Sequence, residues 1–403
     1  MSKIIDAVRL EQQYGAHNYA PLPATLTRAE GVYVWDTDGR RYLDMMSAYS
    51  AVSFGHAHPQ LVAALVTQAR QLAVVSRAFY TDKLGPFLAQ ACQLTGMESA
   101  LPMNTGAEAV ETALKAARKW GYQVKKIPDG QAEIIACNGN FHGRTIAIIG
   151  MSSEPQYRQG FGPFPSGFKL IPYGDAPALE AAITPHTAAF LVEPIQGESG
   201  IIVPPPGYLA QCAEICRRHR VLLICDEVQT GICRTGRFLA SQHDGVVPDG
   251  LTLGKAVGGG LLPVSLFLAR REVMDVFTPG DHGSTFGGNP LAAAVGLASL
   301  NLAVSGDFSH RASEMGQRLL AGLRAIKNPL IHEVRGKGLF IGLELRPGSI
   351  PAREVCERLL ERGLLTKDTH GTVIRFAPAL VIGAEQIDWA VARVAETLNA
   401  LSC

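Results

Sequence analysis

Short apolar runs alternate with stretches of helical periodicity through the middle of the chain. The runs Val221–Cys225 and Leu251–Leu253 are largely apolar, and each is bounded by polar or glycine residues, as buried strands of a parallel sheet are. A helical pattern at 206–220 joins the first of them to a strand-like run at 188–194. This alternation predicts an α/β fold built on a large, mainly parallel, doubly wound sheet flanked by helices. The glycine- and proline-rich stretch Glu154–Tyr173 is expected to be a long loop.

The two ends of the chain show other patterns. Ser2 is placed to cap a helix that Gly15 would end, and two strand-like runs follow around the turn Asp36–Gly39. From Pro290 the sequence changes to long helices and an antiparallel element at 331–345. We therefore predict three parts: an N-terminal helix and hairpin segment (1–49), a large α/β domain (50–295) and a smaller C-terminal α+β domain (296–403).

The composition is that of a globular protein without a strong electrostatic preference for a partner. Of the 403 residues 47% are hydrophobic, and the formal net charge is +1, so no bulk field attracts nucleic acid or an anionic membrane. Small polar substrates are expected instead. The eight cysteines show no framework spacing, and the N-terminus has neither the apolar core of a secretory signal nor the bias of a transit peptide. We expect reduced thiols in a cytoplasmic protein.

Two residues able to do chemistry stand at the ends of predicted strands. Asp226 follows the first apolar run and Lys255 lies just past the second, and open α/β sheets bind ligands at the carboxyl ends of their strands. Burial can turn a lysine into a nucleophile, and an aspartate can keep a pyridine nitrogen protonated, which is how proteins hold pyridoxal 5′-phosphate (PLP). Taken alone, the two residues fit a surface lysine and a loop-capping aspartate better.

Two other segments carry candidate ligand-binding groups. The turn Asn104–Gly106 opens an amphipathic helix, whose unpaired N–H groups and positive dipole end make an anion site, with an ordinary helix cap as the alternative. Phe141 offers a flat ring for stacking and Arg144 a fork for a carboxylate, unless they are a core phenylalanine and a salt-bridged arginine. No GxGxxG or Walker A sequence occurs, which disfavours dinucleotides and nucleoside triphosphates.

Charged residues also stand at strand ends elsewhere. Glu193 and Glu198 leave the run at 188–194 at its carboxyl end. Arg375 stands in a short apolar strand, where an arginine needs an anionic partner. His56 and His58 have a spacing that metal ligands can use, but they lie beside glycine and proline, and no cysteine or aspartate completes a ligand set. We expect no metal.

Together, the motifs resemble those of the class III, fold-type-I PLP-dependent aminotransferases over nearly the whole chain. In family order they are NTGAEAVETALKAAR, NFHGRT, EPIQGESG, DEVQTG, CRTGRF, LGKAVGGG, HGSTFGGNP, VRGKGL and RFAPAL. The resemblance implies a large PLP-binding domain and a smaller C-terminal domain. It also implies a homodimer, or a larger assembly of such dimers, with each active site at a subunit interface.

The resemblance further implies roles for individual residues. For the cofactor it implies Lys255 as the Schiff-base lysine, Asp226 as the partner of the pyridine nitrogen, Gln229 as the ligand of the phenolic oxygen, Phe141 as the stacking ring, Gly106 and Ala107 as phosphate-binding amides, and Thr285 as a phosphate contact from the other subunit. For the substrates it implies Arg375 for the carboxylate at the reacting carbon, Glu198 as its partner when that carboxylate is absent, Arg144 with Tyr19 for the distal end, and Tyr49 for narrowing the pocket.

The stretches YGAHNYAPLP, SRAFYTDKLG and ARKWGY resemble most closely the family members that use L-ornithine. We therefore expect transfer of the δ-amino group of L-ornithine to 2-oxoglutarate, giving glutamate 5-semialdehyde and glutamate. The alternatives are an N-acetylornithine or 4-aminobutyrate aminotransferase and, outside enzymes, a PLP-binding regulatory protein. The sequence departs from its relatives at His142, where animal members have tryptophan, and at Ile232–Cys233, where small residues are common. Either departure is expected to adjust packing around the cofactor ring without removing a catalytic group.

Overall fold

The computed structural model describes residues 3–402, with side chains from residue 7 onward, so the predicted cap Ser2 lies outside the described residues. The first helix spans Lys3–Tyr14, and Gly15 follows it directly. The predicted turn is present as well. Its geometry is fixed by Asp36, whose Oδ1 accepts hydrogen bonds from the backbone N–H groups of Asp38 and Arg40.

The described part of the chain contains fifteen strands, fourteen α-helices and two short 3₁₀ helices, Ala240–Asp244 and Lys255–Gly258. The strands are β1 (Leu26–Glu30), β2 (Tyr33–Asp36), β3 (Arg41–Asp44), β4 (Ser99–Met103), β5 (Glu133–Cys137), β6 (Phe168–Ile171), β7 (Thr187–Val192), β8 (Leu222–Asp226), β9 (Gly250–Leu253), β10 (Ser265–Ala269), β11 (Ile331–Lys337), β12 (Phe340–Leu345), β13 (Leu364–Leu365), β14 (Lys367–Thr369) and β15 (Val373–Phe376). The helices are α1 (Lys3–Tyr14), α2 (Ser47–Ser50), α3 (Pro59–Gln71), α4 (Leu84–Thr95), α5 (Gly106–Gln123), α6 (Ile146–Gly150), α7 (Pro155–Arg158), α8 (Ala176–Ala182), α9 (Tyr208–His219), α10 (Arg271–Met274), α11 (Pro290–Ser305), α12 (Phe308–Ala325), α13 (Ala352–Glu361) and α14 (Ala384–Leu401).

A seven-stranded sheet in the order β4-β10-β9-β8-β7-β5-β6 forms the centre of the molecule. Its strands run parallel except for β10, which is antiparallel to both of its neighbours, β4 and β9. The predicted mainly parallel α/β sheet is therefore confirmed. Strand β8 ends at Asp226, one residue later than the predicted run.

Both faces of this sheet are buried, because successive residues of one strand enter different cores. Ile134 and Leu222 pack in a core with residues of α5, whereas their chain neighbours Ile135 and Leu223 pack in a second core with residues of α9. Side chains alternate between the two faces of a strand. A strand that is apolar throughout therefore needs helices on both sides, which explains the doubly wound arrangement.

Two four-stranded sheets lie outside the central one, in the orders β1-β2-β3-β13 and β11-β12-β15-β14. Strand β13 pairs in parallel with β3, so the N-terminal hairpin is joined to the C-terminal part of the chain. The predicted antiparallel element at 331–345 is the pair β11 and β12. The three-part division stays a prediction, and its boundary at 295/296 falls inside α11.

Some elements differ from the expectations. The stretch 154–173, expected to be a loop, contains α7 and β6. Each is only four residues long, too short for a periodic pattern to stand out among the glycines and prolines. No element is predicted for residues 59–103, where the structure has α3, α4 and β4. Within residues 3–402 no single helix is both long and apolar enough to cross a bilayer. Helices α11 and α12 reach the required length and apolar composition only when they are taken together, and their axes are bent by 65° relative to each other.

Candidate active site

The carboxyl ends of β7, β8 and β9 and the first turn of α5 enclose a cavity of about 190 Å³. Its wall is formed by Gly106, Ala107, Phe141, His142, Gly143, Glu193, Ile195, Asp226, Val228, Gln229, Thr230 and Lys255. The structure thus brings together all of the residues expected at the cofactor except Thr285.

The first turn of α5 is built as a capped helix start that also faces the cavity. The Oγ1 atom of Thr105 accepts from the N–H of Glu108, and the Glu108 carboxylate accepts from the N–H of Thr105. The expected cap is therefore present, but it leaves the N–H groups of Gly106 and Ala107 without an intrahelical partner. Gly106 is required for close packing, because a Cβ atom there would lie 2.9 Å from a methyl group of Val228. Two unpaired amides at the positive end of a long helix suit an anionic group.

Asp226 is the last residue of β8 and lines the cavity. Its Oδ2 lies 2.7 Å from Nδ1 of His142, and its Oδ1 accepts from the Thr252 hydroxyl and the Val228 N–H, both at 3.0 Å. Burial alone would raise the pKa of Asp226, but His142 and the other donors outweigh it and lower this pKa. Burial likewise would lower the pKa of His142, yet the aspartate raises it. The carboxylate therefore stays an anion, and its buried hydrogen bond with His142 favours the protonated form of the imidazole.

Lys255 begins a short 3₁₀ turn directly after β9 and lines the same cavity. Burial lowers the pKa of its amine, against the opposing effect of Glu198 and Asp226. Its backbone has φ of +45°, a left-handed conformation that costs energy for any residue with a side chain. A strained lysine whose ammonium form is disfavoured is poised to act as a nucleophile or base.

Glu193 closes the wall between β7 and the Phe141 loop. Its carboxylate accepts from the N–H of Phe141 at 2.8 Å and from that of Gly197 at 3.2 Å. Burial raises the pKa of Glu193 to about 7; His142 opposes this rise, and Asp226 adds a smaller contribution to it. Through these two backbone donors, Glu193 holds the backbone of Phe141 and Gly197 at the end of β7.

Arg375 and Glu198 form a buried ion pair beside the cavity. The Arg375 guanidinium, whose side chain is 1% exposed, donates to both carboxylate oxygens at 2.7 and 2.9 Å. Burial raises the pKa of Glu198, but the arginine outweighs it and lowers this pKa to about 2. The two residues expected to be partners are therefore in contact, and the role of the pair toward the substrates stays a prediction. Such bidentate pairs are strong and specific for a planar carboxylate.

The family model Aminotransferase class-III matches residues 14–398 of the chain. The chain belongs to this family. It is 54% identical to the ornithine aminotransferases of Brevibacillus brevis and of Bacillus subtilis, in each case over 399 residues that cover 99% of both chains. It is similar to the crystal structure of the ornithine aminotransferase from Toxoplasma gondii, with a TM-score of 0.98 and 45% identity, covering 100% of this chain and 96% of that one. It is also similar to an acetylornithine aminotransferase from Elizabethkingia anophelis, with a TM-score of 0.90 and 46% identity, covering 99% and 100%.

The match to the class-III aminotransferases confirms the expected family, fold and enzyme class, and it sets aside the non-enzyme alternative. Class-III aminotransferases depend on PLP. The cavity of this aminotransferase offers each kind of contact that such a cofactor needs: an anion-binding helix start, an aromatic ring, a buried carboxylate and an amine of lowered pKa.

Tyr49 of this aminotransferase stands on α2, a left-handed turn. Its ring centroid lies 5.2 Å from Cζ of Arg375, and its carbonyl oxygen lies 3.5 Å from the donor Nε2 of Gln229. The turn is tied down by Arg234, which donates to the hydroxyls of Ser47 and Ser53 and to two backbone carbonyls. This arginine is not among the predicted site residues, although it lies in the quoted motif CRTGRF.

The remaining substrate candidates lie farther from the cavity wall. Arg144 is exposed, and its Cζ lies 3.5 Å from the ring centroid of Tyr157 and 5.4 Å from that of Phe141. Tyr19 is 81% exposed in the single chain. Thr285 is also exposed, on a loop whose neighbouring Ser284 accepts a hydrogen bond from Asn104 at the start of α5. The roles of these three residues stay predictions.

The two departures from the relatives have different surroundings. His142 is in the cavity wall and pairs with Asp226, so it is placed to influence the cofactor ring. Ile232 and Cys233 are buried in the large core instead, and Cys233 contacts the carbonyl oxygen of Ala303 through its thiol. An effect on ring packing is therefore expected of His142 alone.

Proposed function

We propose that this aminotransferase transfers the δ-amino group of L-ornithine to 2-oxoglutarate with bound PLP, giving glutamate 5-semialdehyde and glutamate. The observation that carries the proposal is the contrast between two arginines. The guanidinium of Arg375 is already paired with the carboxylate of Glu198 through two hydrogen bonds, whereas Arg144 forms no ion pair within residues 7–402. Ornithine has a single carboxylate, which is far from the reacting carbon. It therefore needs one arginine free to bind that carboxylate, and the arginine near the reacting carbon has to be neutralised by the protein.

The residues of the cavity fit PLP. The anionic Asp226 suits a protonated pyridine nitrogen, the free amides of Gly106 and Ala107 suit a phosphate, and Phe141 offers a ring for stacking. Gln229 lines the same wall and suits the phenolic oxygen. When bound, PLP supplies a carbonyl group that can take up and release an amine, and a ring that draws electrons from the reacting carbon.

Lys255 is the proposed proton carrier. Because burial lowers the pKa of its amine, it can take a proton from the δ-carbon of ornithine and give one back later in the reaction. Asp226 stays charged throughout, since His142 holds its pKa down. The two residues reach the cavity from neighbouring strands, β8 and β9.

The Glu198–Arg375 pair accounts for the use of two differently shaped substrates. With ornithine in place the pair stays closed, because an unpaired arginine at a buried position would cost on the order of several kcal/mol. With 2-oxoglutarate in place, the α-carboxylate takes over the fork of Arg375 and Glu198 moves away. Arg144, with Tyr19, binds the carboxylate at the far end of either substrate, and Tyr49 narrows the pocket beside Arg375.

We further propose a cytoplasmic homodimer in which Thr285 reaches the phosphate in the active site of the partner subunit. The support is its exposed position on a loop next to the start of α5. Light scattering of the purified protein measures the assembly, and Thr285→Ala should weaken PLP affinity without changing the fold. A monomer with full activity would contradict this arrangement.

A turnover assay with 2-oxoglutarate as acceptor tests the substrate. L-ornithine, N-acetylornithine and 4-aminobutyrate are compared as donors under identical conditions, and ornithine should give the highest kcat/KM. The similarity to the acetylornithine aminotransferase from Elizabethkingia anophelis makes N-acetylornithine the second candidate. A kcat/KM for N-acetylornithine equal to or above that for ornithine would overturn the proposal.

A further inference from the structure

Arg144 is held in a different way from the other two arginines near the cavity. Arg375 is fixed by two hydrogen bonds to a carboxylate, and Arg234 donates to four oxygen atoms. Within residues 7–402, Arg144 makes no ion pair and its guanidinium makes no hydrogen bond. Its guanidinium lies instead 3.5 Å from the ring centroid of Tyr157, with Phe141 more distant at 5.4 Å. The Tyr157 ring is therefore the main restraint on this side chain.

The Tyr157 ring is itself held in place by the short helix α7. Glu154 caps this helix, and Arg158 donates to the carbonyl oxygens of Gly150 at 2.7 Å and Ser152 at 3.0 Å. The edge of Tyr157 also meets the ring of Phe141 at a centroid distance of 6.0 Å and an angle of 83°. The cap and the Arg158 hydrogen bonds thus fix the helix that carries Tyr157, and the contact with Phe141 fixes the ring on which Arg144 rests.

The ring rather than the hydroxyl makes these contacts. Within the described side chains, the Tyr157 hydroxyl makes no hydrogen bond. A guanidinium that lies over an aromatic ring uses its flat face for the contact, and its N–H donors point outward in the plane. The donors stay available for a carboxylate, whereas an ion pair with a neighbouring glutamate would occupy them.

We propose that Tyr157 is a positioning residue for the distal carboxylate of both substrates, because its ring holds the Arg144 guanidinium with its N–H edge open. The inference rests on the proposed role of Arg144 and deepens it. It assigns part of the affinity for a dicarboxylate to a residue that touches the arginine rather than the substrate. The contribution should be equal for ornithine and 2-oxoglutarate, since both present a carboxylate at that end.

The test compares Tyr157→Ala with the matched control Tyr157→Phe in the PLP-loaded enzyme. Affinity for glutarate, a non-reacting five-carbon dicarboxylate, is measured by calorimetry, and KM and kcat are measured for 2-oxoglutarate. Loss of the ring should weaken glutarate binding and raise KM by roughly threefold to thirtyfold, with kcat nearly unchanged. The phenylalanine variant should behave like the wild type. Should the alanine variant not fold, Tyr157→Leu keeps apolar bulk and removes the aromatic face.

A double-mutant cycle separates action through Arg144 from a general structural effect. In an Arg144→Gln background, Tyr157→Ala should have no further effect on glutarate binding. Any of three results would overturn the inference. The effects of Tyr157→Ala and Arg144→Gln on glutarate affinity could be fully additive, Tyr157→Phe could bind glutarate as weakly as Tyr157→Ala, or both Tyr157 variants could bind it as tightly as the wild type. Glutarate binding does not depend on the amino donor, so failure of ornithine as a substrate would be distinguishable from failure of this proposal.

Discussion

Glu198→Ala removes the carboxylate that closes Arg375, and its effect on substrate choice can be worked out from the ion pair. Arg375 overcomes the effect of burial and lowers the pKa of Glu198 from 4.5 to about 2. At 1.36 kcal/mol per pKa unit, the pair favours the charged carboxylate by roughly 3 kcal/mol, which is about a hundredfold in an equilibrium constant. In the wild type, an amino acid with a carboxylate at the reacting carbon has to displace this partner.

The variant should therefore shift preference from ornithine toward glutamate as amino donor by up to about a hundredfold. Glutamate gains an open arginine, whereas ornithine is left beside an uncompensated charge. The assay is the single-turnover reaction of the PLP enzyme with each amine, followed by the change in cofactor absorbance. A ratio of the two rates within twofold of the wild-type ratio would refute the idea that Glu198 masks Arg375.

Glu344→Ala is the control, because Glu344 also pairs with an arginine, the partly buried Arg335, and its side chain is 23% exposed, as is that of Glu198. Glu198→Ala should lose stability by on the order of 3–5 kcal/mol, because it leaves the buried Arg375 unpaired. Glu344→Ala should lose less, because Glu333 still pairs with Arg335 at 2.7 Å, and only Glu198→Ala should change the substrate ratio. The folded-state pKa of Glu198 lies below its ordinary value, so its stabilisation is complete above about pH 4.5 and is lost as the pH falls toward 2. In that window the wild type should lose stability more steeply than Glu198→Ala.

Three further predictions concern the other side chains of the cavity. Lys255→Ala should lower turnover by at least about a thousandfold and remove the bond to PLP that borohydride can fix; retained turnover would contradict its role. His142→Phe removes the partner that opposes the effect of burial on Asp226, so the pKa of Asp226 should rise. The acid limb of the pH profile of kcat should then move to higher pH, and an unmoved limb would show that His142 does not hold the carboxylate charged. Tyr49→Ile should lower the ratio of ornithine to 4-aminobutyrate turnover, and an equal ratio would separate Tyr49 from specificity.

The grouping of the residues proposed for the cofactor could be predicted because they stand at fixed local positions. Asp226 and Lys255 each come at the end of a short apolar strand, and Gly106 comes at the start of a periodic helix. Parallel strands bring their carboxyl ends to one edge, so three separate local patterns point to one crevice. The structure places these residues in one cavity wall, as expected.

The arrangement around Arg144 could not be predicted in the same way. Tyr157 lies in a stretch whose glycines and prolines indicate a loop, and α7 is a single turn without periodicity. The contact joins residues 13 positions apart across two short helices, α6 and α7, and no spacing rule connects an arginine to a ring at that separation. Sequence alone therefore left a salt-bridged arginine as an alternative, whereas the structure stacks Arg144 on a ring.

Tyr49, the residue proposed to set substrate choice, stands on a backbone conformation that local sequence does not favour. All four residues of α2 have positive φ, from 40° at Ser47 to 77° at Ser50, at a cost of roughly 1–2 kcal/mol for each. None is glycine, so the conformation has to be imposed by contacts from elsewhere. Ser47 donates to the carbonyl oxygen of Ala377 at 2.6 Å, and Arg234 donates to Ser47, to Ser53 and to the carbonyls of Leu339 and Pro378. These contacts tie the turn that carries Tyr49 to the residues that follow the strand of Arg375. The distance between these two side chains is therefore set by the tertiary fold, whereas the positions of Asp226, Lys255 and Gly106 follow from strand ends and a helix start.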